Sequence, residues 1–177
     1  MTLARRRTIG LVLAAFVFAV DQAVKWYVIG PLQLYAVRQV EVLPIFRLTW
    51  TENYGVSLGL LTAESETMRW LLVALTGIIS LVVLVWLLRE RKLAEIAALA
   101  LVLGGALGNI RDRATRGYVV DYADLHFGEF RPFLIFNVAD AAITIGVLII
   151  LARALLSREK PANAAGEDRG QVEPRSI

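Results

Sequence analysis

Two aspartates occupy positions in this sequence where a carboxylate is costly. Asp121 lies in Gly117-Tyr-Val-Val-Asp121-Tyr. Asp140 follows Phe136-Asn137-Val-Ala, at the start of an apolar stretch. An ionisable side chain near membrane hydrocarbon is a candidate for function, because its burial is expensive. If the two carboxyls face one another, repulsion and desolvation leave them sharing one proton, which suits acid/base chemistry.

In that state the ionised aspartate takes a proton from a water molecule while the water attacks a peptide carbonyl. The protonated aspartate donates to the carbonyl oxygen and later to the leaving amine, as in an aspartic protease. The structural alternative makes each aspartate a helix cap or an ion-pair partner of Arg113, Arg116 or Arg131. Spacing alone leaves both interpretations open.

The composition restricts the remaining chemistry. The chain has 177 residues, of which 57% are hydrophobic, and this is typical of a compact membrane bundle. It has no cysteine and a single histidine, His126, so disulfides, thiol nucleophiles and the usual cysteine or paired-histidine zinc sites are excluded. We therefore expect no metal and no cofactor, and we interpret His126 as a loop residue. The scattered net charge of +3 gives no basic stripe for nucleic acid.

Four apolar stretches approach the ~20 residues that cross a bilayer. They run over residues 8–30, 70–88, 93–110 and 133–152. We predict an all-α integral membrane protein with one membrane domain, residues 1–156, and a disordered cytoplasmic tail, residues 157–177. We expect a monomer.

The two long connections, residues 31–68 and 111–132, lie on the same side, because an even number of spans separates them. The opposite side holds both termini and the turn at 89–92, and basic residues near its span ends predict that it is cytoplasmic. Arginines also crowd the 111–132 connection, where we expect them to pair with carboxylates or lipid headgroups. They are Arg111, Arg113, Arg116 and Arg131.

Two short strands are predicted on the side of the long connections. Residues 46–51 alternate apolar and polar side chains and precede a turn signal, and residues 117–122 are β-branched and aromatic. The two strands could pair. Asp121 would then lie on a loop or strand edge and Asp140 about two turns into the fourth span. The site would form only when the extramembrane part docks on the bundle, and we predict that Asp121 is the more mobile partner.

The first span carries Asp21 and Lys25 four residues apart, so they share a helical face and can neutralise each other. We favour a structural ion pair. The alternative is a Ser-Lys peptidase in which Lys25 is the general base for Ser57. A second alternative is a small proton-coupled transporter that uses the aspartates as relays, although no inverted repeat is apparent.

The third span ends in glycines and polar residues. Gly104 and Gly108 have the spacing of a close helix contact and lack the Gly-Lys-Ser/Thr of a phosphate loop. If the helix continues, Asn109 and Arg113 share a face and could hold substrate backbone or orient a carboxylate; Asn109 could also simply cap the helix. Asn137 is expected on the same face as Asp140, either as its orienter or as a helix-helix hydrogen-bonding residue.

Taken in order along four spans, these motifs resemble the bacterial lipoprotein signal peptidase family, also called signal peptidase II. The motifs are Asp21-Gln-Ala-Val-Lys25, Asn53-Tyr-Gly55, Gly104-Gly-Ala-Leu-Gly108-Asn109-Ile-Arg-Asp112-Arg113, Gly117-Tyr-Val-Val-Asp121-Tyr122 and Phe136-Asn137-Val-Ala-Asp140-Ala-Ala-Ile143. The chain departs from the family pattern after Gly55, where it continues Val56-Ser57-Leu58-Gly59.

The resemblance implies a membrane aspartic endopeptidase of the bacterial inner membrane. It would remove the signal peptide of prolipoproteins, cutting immediately before a cysteine that carries diacylglyceryl. Asp121 and Asp140 match the family's catalytic dyad, and Asp21 and Lys25 match its first-span motif. The family's substrate-pocket positions match Asn53, Asn109, Arg113 and Asn137. The resemblance also implies a small periplasmic β-cradle and a helical flap, with prolipoproteins and membrane lipids as partners.

Overall fold

A computed structural model describes residues 1–55, 66–128 and 130–157 of the chain. This part consists of helices and the strands of one small sheet. The elements in chain order are α1 (Leu3–Ile29), α2 (Leu34–Val37), β1 (Gln39–Leu43), β2 (Phe46–Asn53), α3 (Glu66–Arg89), α4 (Leu93–Arg116), β3 (Val119–Leu125) and α5 (Val138–Ser157). Ser57 lies outside the described residues, as do residues 158–177 of the predicted disordered tail, 157–177.

Four of these helices, α1, α3, α4 and α5, are long and apolar enough to cross a membrane. α4 is the central helix, because it packs against the other three and buries half of its spanning window. α3 and α5 turn most of their apolar side chains outward, as helices that face lipid do. The predicted fold class, four membrane-spanning helices with a small sheet and a short extramembrane helix, is confirmed.

Glycines let α4 approach its neighbours closely. A Cβ added at Gly104 would lie 2.5 Å from the carbonyl oxygen of Ala14 on α1, and one at Gly108 would lie 2.5 Å from Asp21 Oδ2. Real side chains do not come that close, so only glycine permits this separation. The predicted close contact at Gly104 and Gly108 is present, and it brings α4 against the polar residues of α1.

The helix of the third span is longer than the predicted span, which ends at residue 110, because α4 continues to Arg116. Asp112 and Arg116 form an ion pair of 2.6 Å one turn apart, which supports the added turns. The helix ends where Gly117 adopts φ +91° and donates its N–H to the Arg113 carbonyl, a left-handed closure that suits glycine. Arg113 is therefore a helical residue, although it falls within the predicted connection 111–132.

The predicted start of the fourth span at residue 133 also differs from the structure, since α5 begins at Val138. Phe136 is instead bridged to β3, with the Ala123 N–H donating to the Phe136 carbonyl at 2.7 Å. This pairing keeps the segment before Asn137 extended. As a result Asp140 lies in the first turn of α5, and the prediction of two turns into the span is corrected.

The sheet has the order β1-β2-β3 and is antiparallel throughout. The predicted pairing of the two strands is confirmed, with Thr51 opposite Asp121 and Asn53 opposite Val119. Six of the seven residues of β3 are buried, because β3 lies between β2 and the helix bundle, where it contacts α4. Its Val120 and Tyr122 pack in one apolar cluster with Val28 at the end of α1. Asp121 thus sits on a buried strand that is docked on the bundle.

The opposite end of the bundle holds the start of α1, the connection between α3 and α4, and the last part of α5. Arg6 donates to the Arg91 carbonyl at 2.6 Å, and Arg153 pairs with Glu95 at 2.8 Å. The sheet and the dyad aspartates therefore share one end of the molecule, and the first and last described residues lie towards the other.

Candidate active site

Asp121 from β3 and Asp140 from α5 both contact Asn137. The Asn137 side chain donates its Nδ2–H to Asp121 Oδ1 at 2.6 Å, and its backbone N–H points to Asp140 Oδ2 at 3.3 Å. Asp121 is 2% exposed and Asn137 is fully buried. Residues of two different elements, β3 and α5, are thus brought together where the sheet meets the bundle.

Asn137 occupies the position immediately before α5, and it caps that helix. Its Oδ1 accepts the Asp140 backbone N–H at 2.9 Å, which is the reciprocal of the contact from the Asn137 N–H to the Asp140 carboxylate. This is the arrangement of a capping box. The expectation that both residues lie on one face of the fourth span is therefore corrected. Asp140 faces the positive end of the α5 dipole instead.

Three asparagines direct amide N–H groups at the two carboxylates. Besides Asn137, Asn53 Nδ2 donates to Asp121 Oδ2 at 2.9 Å, and Asn109 Nδ2 donates to Asp140 Oδ1 at 2.7 Å. Each amide oxygen is held by a separate N–H donor, which sets the orientation of the amide. For Asn53 this donor is the N–H of Gly55, at 2.8 Å.

Burial is the main influence on the charge of Asp121. It raises the pKa of this carboxyl from its ordinary 3.8 to about 6; the N–H from Asn53 opposes the rise, and the nearby charge of Asp140 adds to it. The amide N–H from Asn137 also opposes the rise. Asp121 consequently holds a proton at a pH where an exposed aspartate is ionised.

Lys25 links the first span to this site. Its Nζ lies 3.0 Å from Asp21 Oδ2, 2.8 Å from Asp112 Oδ2 and 3.2 Å from Asn109 Oδ1. The predicted ion pair with Asp21 is confirmed. These three acceptors match the three N–H donors of an ammonium group, so the Lys25 donors are fully used within a buried network.

Asp21 has a second partner on α5. Its Oδ1 accepts the backbone N–H of Ala139 at 3.1 Å, so this carboxylate satisfies one of the free N–H groups at the start of that helix. Asp21 therefore ties α1 to the turn that carries Asp140.

Asp112 belongs to the third motif, but the sequence pattern assigned it no role. It is fully buried, pairs with both Lys25 and Arg116, and accepts a long hydrogen bond of 3.4 Å from the Val120 N–H. The available signal was the four-residue spacing from Asp112 to Arg116, which predicts an ion pair only if the helix continues past residue 110.

Arg113 faces the turn after β2 and the dyad. A Cβ added at Gly55 would lie 3.4 Å from Arg113 Nη2, and the positive φ of +86° at Gly55 also favours glycine there. The Arg113 guanidinium is close enough to interact electrostatically with Asp140 and Asp121. Its buried Nε has no hydrogen-bond partner among the described residues.

Among the described residues, neither Asp121 nor Asp140 forms an ion pair with Arg116 or Arg131, as the structural alternative required. Arg116 pairs with Asp112, and Arg131 lies 3.7 Å from Asp124. Asp124 is also bound by Arg47 at 2.8 Å, in a second polar cluster of the sheet. The expected pairing with carboxylates is therefore confirmed for Arg116 and Arg131, whose partners are not the dyad, whereas Arg111 donates to the side-chain oxygen of Gln22.

His126 directly follows β3. Its backbone N–H donates to the Ile45 carbonyl at 3.0 Å, and its Nε2 lies 3.6 Å from Glu41 of β1. Within residues 1–55, 66–128 and 130–157, no group of three or more His, Cys, Asp or Glu side chains is arranged to hold a metal ion.

Comparisons with known proteins agree with this architecture. The chain is similar to the lipoprotein signal peptidase of Sphingopyxis alaskensis, with 56% identity over 88% of this chain and 90% of that protein. It is 51% identical to the lipoprotein signal peptidase of Rhizorhabdus wittichii, over 92% of this chain and 94% of that protein.

Two solved structures share the fold. A bacterial membrane enzyme determined by the in meso method at 2.3 Å resolution superposes with a TM-score of 0.73 at 27% identity, covering 90% of this chain and 95% of that one. A second, at 1.9 Å resolution, gives a TM-score of 0.72 at 30% identity, covering 84% and 93%. The family model for signal peptidase (SPase) II matches residues 13–156. The chain therefore belongs to the signal peptidase II family.

Proposed function

We propose that this protein is an aspartic endopeptidase that removes the signal peptide of prolipoproteins, cutting immediately before a diacylglyceryl-modified cysteine. The observation that carries the proposal is the meeting of Asp121 and Asp140 at Asn137, with an oriented amide N–H on each carboxylate. The relatives named lipoprotein signal peptidase support the substrate class.

In the proposed reaction the dyad holds one proton. Asp121, whose pKa burial raises to about 6, carries it, and substrate bound above the site would bury the carboxyl further. Asp140 takes a proton from a water whose oxygen bonds to the scissile carbonyl carbon, while Asp121 protonates the carbonyl oxygen. When the diol collapses, the C–N bond breaks, Asp140 gives its proton to the leaving amine, and Asp121 recovers its own.

The neighbours of the dyad have supporting roles in this proposal. Asn53, Asn109 and Asn137 fix the carboxylates, and Arg113 offers an N–H group to the substrate backbone beside them. Asp21 and Lys25 hold the helices that carry these residues. Preorganised donors of this kind avoid reorganisation during the reaction.

The location of the dyad suits a lipid-anchored substrate. It lies at the ends of the spanning helices, next to the sheet, and we propose that this end faces the periplasm of the bacterial inner membrane. The other end, with both termini, would be cytoplasmic, because it carries Arg6, Arg91 and Lys92 beside span ends. A signal helix inserted in the bilayer would present its scissile bond at this depth. We propose that the protein acts as a monomer with a single membrane domain, residues 1–156.

The Ser-Lys alternative requires a lysine with a nitrogen available to act as a base. Lys25 Nζ is instead surrounded by Asp21, Asp112 and Asn109. Ser57, the other half of that alternative, lies outside the described residues. The contacts of Lys25 therefore favour the aspartic mechanism.

The proposal is tested by cleavage of matched precursors with and without the diacylglyceryl group, using the purified full-length protein. We expect cleavage of the lipidated precursor alone, no change on Ser57→Ala, and no acyl-enzyme that hydroxylamine can trap. Loss of cleavage in Ser57→Ala, or a trapped acyl-enzyme, would support the Ser-Lys mechanism instead. Equal cleavage of both precursors would refute the lipid specificity.

A further inference from the structure

Asp112 is a buried carboxylate that the proposed chemistry leaves without a role. It is fully buried near the end of α4, between Lys25 Nζ at 2.8 Å and Arg116 Nη1 at 2.6 Å. A buried ion pair is weak evidence for stability, because desolvation of the charges offsets their attraction. A role in holding one arrangement of neighbouring groups is the better-attested use of such a pair.

A continuous chain of contacts runs from Asp112 to the dyad. Asp112 holds Lys25 Nζ, which donates to Asn109 Oδ1, and Asn109 Nδ2 donates to Asp140 Oδ1. The ammonium group needs an oxygen facing it, and this leaves the amide N–H of Asn109 facing the Asp140 carboxylate. If Lys25 moved away, a flipped amide would place its oxygen against that carboxylate and repel it.

Asp112 also touches the strand that carries Asp121. Its Oδ2 accepts the Val120 N–H at 3.4 Å, and the Val120 carbonyl accepts from Asn137 Nδ2 at the same distance. Both hydrogen bonds are long and therefore weak. They nevertheless place Asp112 against the residue that precedes Asp121 and, through the carbonyl of that residue, link it to Asn137 at the start of α5.

We infer that Asp112 is a positioning residue for the reaction: it fixes Lys25, and through Lys25 it orients the Asn109 amide that holds Asp140. The inference rests on the proposed function, since it assigns Asp112 a role only if Asp140 takes part in cleavage. Misplacing a catalytic group by about 1 Å can cost about 100-fold in rate, so a residue that touches no substrate can still matter.

The test is a double-mutant cycle on the full-length protein, using the rate constant and KM for cleavage of a lipidated precursor. Asp112→Asn should lower the rate constant about 10- to 100-fold in the wild-type background, with KM within about twofold. In an Asn109→Ala background it should change the rate constant by less than about twofold, because no amide remains to be oriented. Equal losses in both backgrounds would overturn the inference.

Asp124→Asn is the matched control. Asp124 lies on β3, is 1% exposed and pairs with Arg47 at 2.8 Å. Its substitution therefore also removes a buried charge that is ion-paired with an arginine, as the substitution of Asp112 does. We expect a similar fall in melting temperature but a rate constant within about twofold of wild type. A comparable rate loss in Asp124→Asn would show that any lost buried carboxylate slows cleavage, and the inference would fail.

If Asp112→Asn lacks a cooperative melt, Asp112→Glu provides the same cycle, because it keeps the charge and displaces the carboxylate by one methylene. Failure of this inference is distinguishable from failure of the proposed function. If Asp140→Asn abolishes cleavage while the Asp112 losses are equal in both backgrounds, only the positioning role is refuted. If Asp140→Asn cleaves normally, the proposed function is refuted, and the positioning role with it.

Discussion

Asn137 combines two tasks that substitution can separate. Its oxygen caps α5 and its Nδ2 holds Asp121. Asn137→Ser keeps a capping oxygen but has no amide N–H, so we expect cleavage to fall about 10- to 100-fold. Asn137→Ala should lose about 1 kcal/mol more of the free energy of unfolding. Equal stability of the two variants, measured by thermal melting, would contradict the capping role.

The raised pKa of Asp121 has a consequence for stability. A carboxyl whose folded-state pKa is about 6 stabilises the fold fully below its unfolded value of about 3.9, and that contribution is lost as the pH rises through about 6. Asparagine does not titrate. The melting temperature of Asp121→Asn relative to wild type should therefore be higher at about pH 7.5 than at about pH 5. A difference that stays constant, or shrinks, would contradict the raised pKa.

The candidate residues of the dyad could be predicted because a carboxylate near hydrocarbon is expensive, and because the motif order resembles one family. The orientation of the amides could not be predicted. It depends on which donor faces each oxygen, such as Lys25 for Asn109, and those donors come from other elements. The contacts of Asp112 could not be predicted for a related reason, since its partners come together only when α4 continues beyond residue 110.

At the scale of elements, Gly108 controls how closely α4 approaches α1. A methyl group there would lie 2.5 Å from Asp21 Oδ2, while one at Gly77 on α3 would have nothing within 4 Å. We expect Gly108→Ala to destabilise the fold by about 1–3 kcal/mol. Gly77→Ala should be neutral or stabilise by up to about 1 kcal/mol. Thermal melting in detergent measures both, and a Gly108→Ala variant as stable as wild type would refute the close contact.

Helix ends were the least predictable feature of the elements. Hydropathy identified four spans, but it does not show where hydrogen bonding stops. α4 continues through charged residues because Asp112 and Arg116 pair, and α5 starts late because Phe136 bonds to β3. The relative mobility of Asp121 stays a prediction, which amide hydrogen exchange of β3 against the first turn of α5 would measure.

At the scale of the whole molecule, the two ends of the bundle should lie on opposite sides of the membrane. The chain has no cysteine, so single-cysteine variants report sidedness directly. Leu43 on the sheet is 57% exposed, and Arg91 at the opposite end is also exposed. A membrane-impermeant maleimide added to spheroplasts should label Leu43→Cys and spare Arg91→Cys. The reverse pattern would invert the proposed topology.

In the proposed reaction Asp121 and Asp140 perform the cleavage together. The most direct measurement is the single-turnover rate of lipidated-precursor cleavage by purified Asp121→Asn and Asp140→Asn, each confirmed to melt cooperatively. We expect each substitution to lower the rate by about 10²- to 10⁴-fold, because each removes one of the two proton transfers. A folded variant of either kind that cleaves at the wild-type rate would contradict the claim.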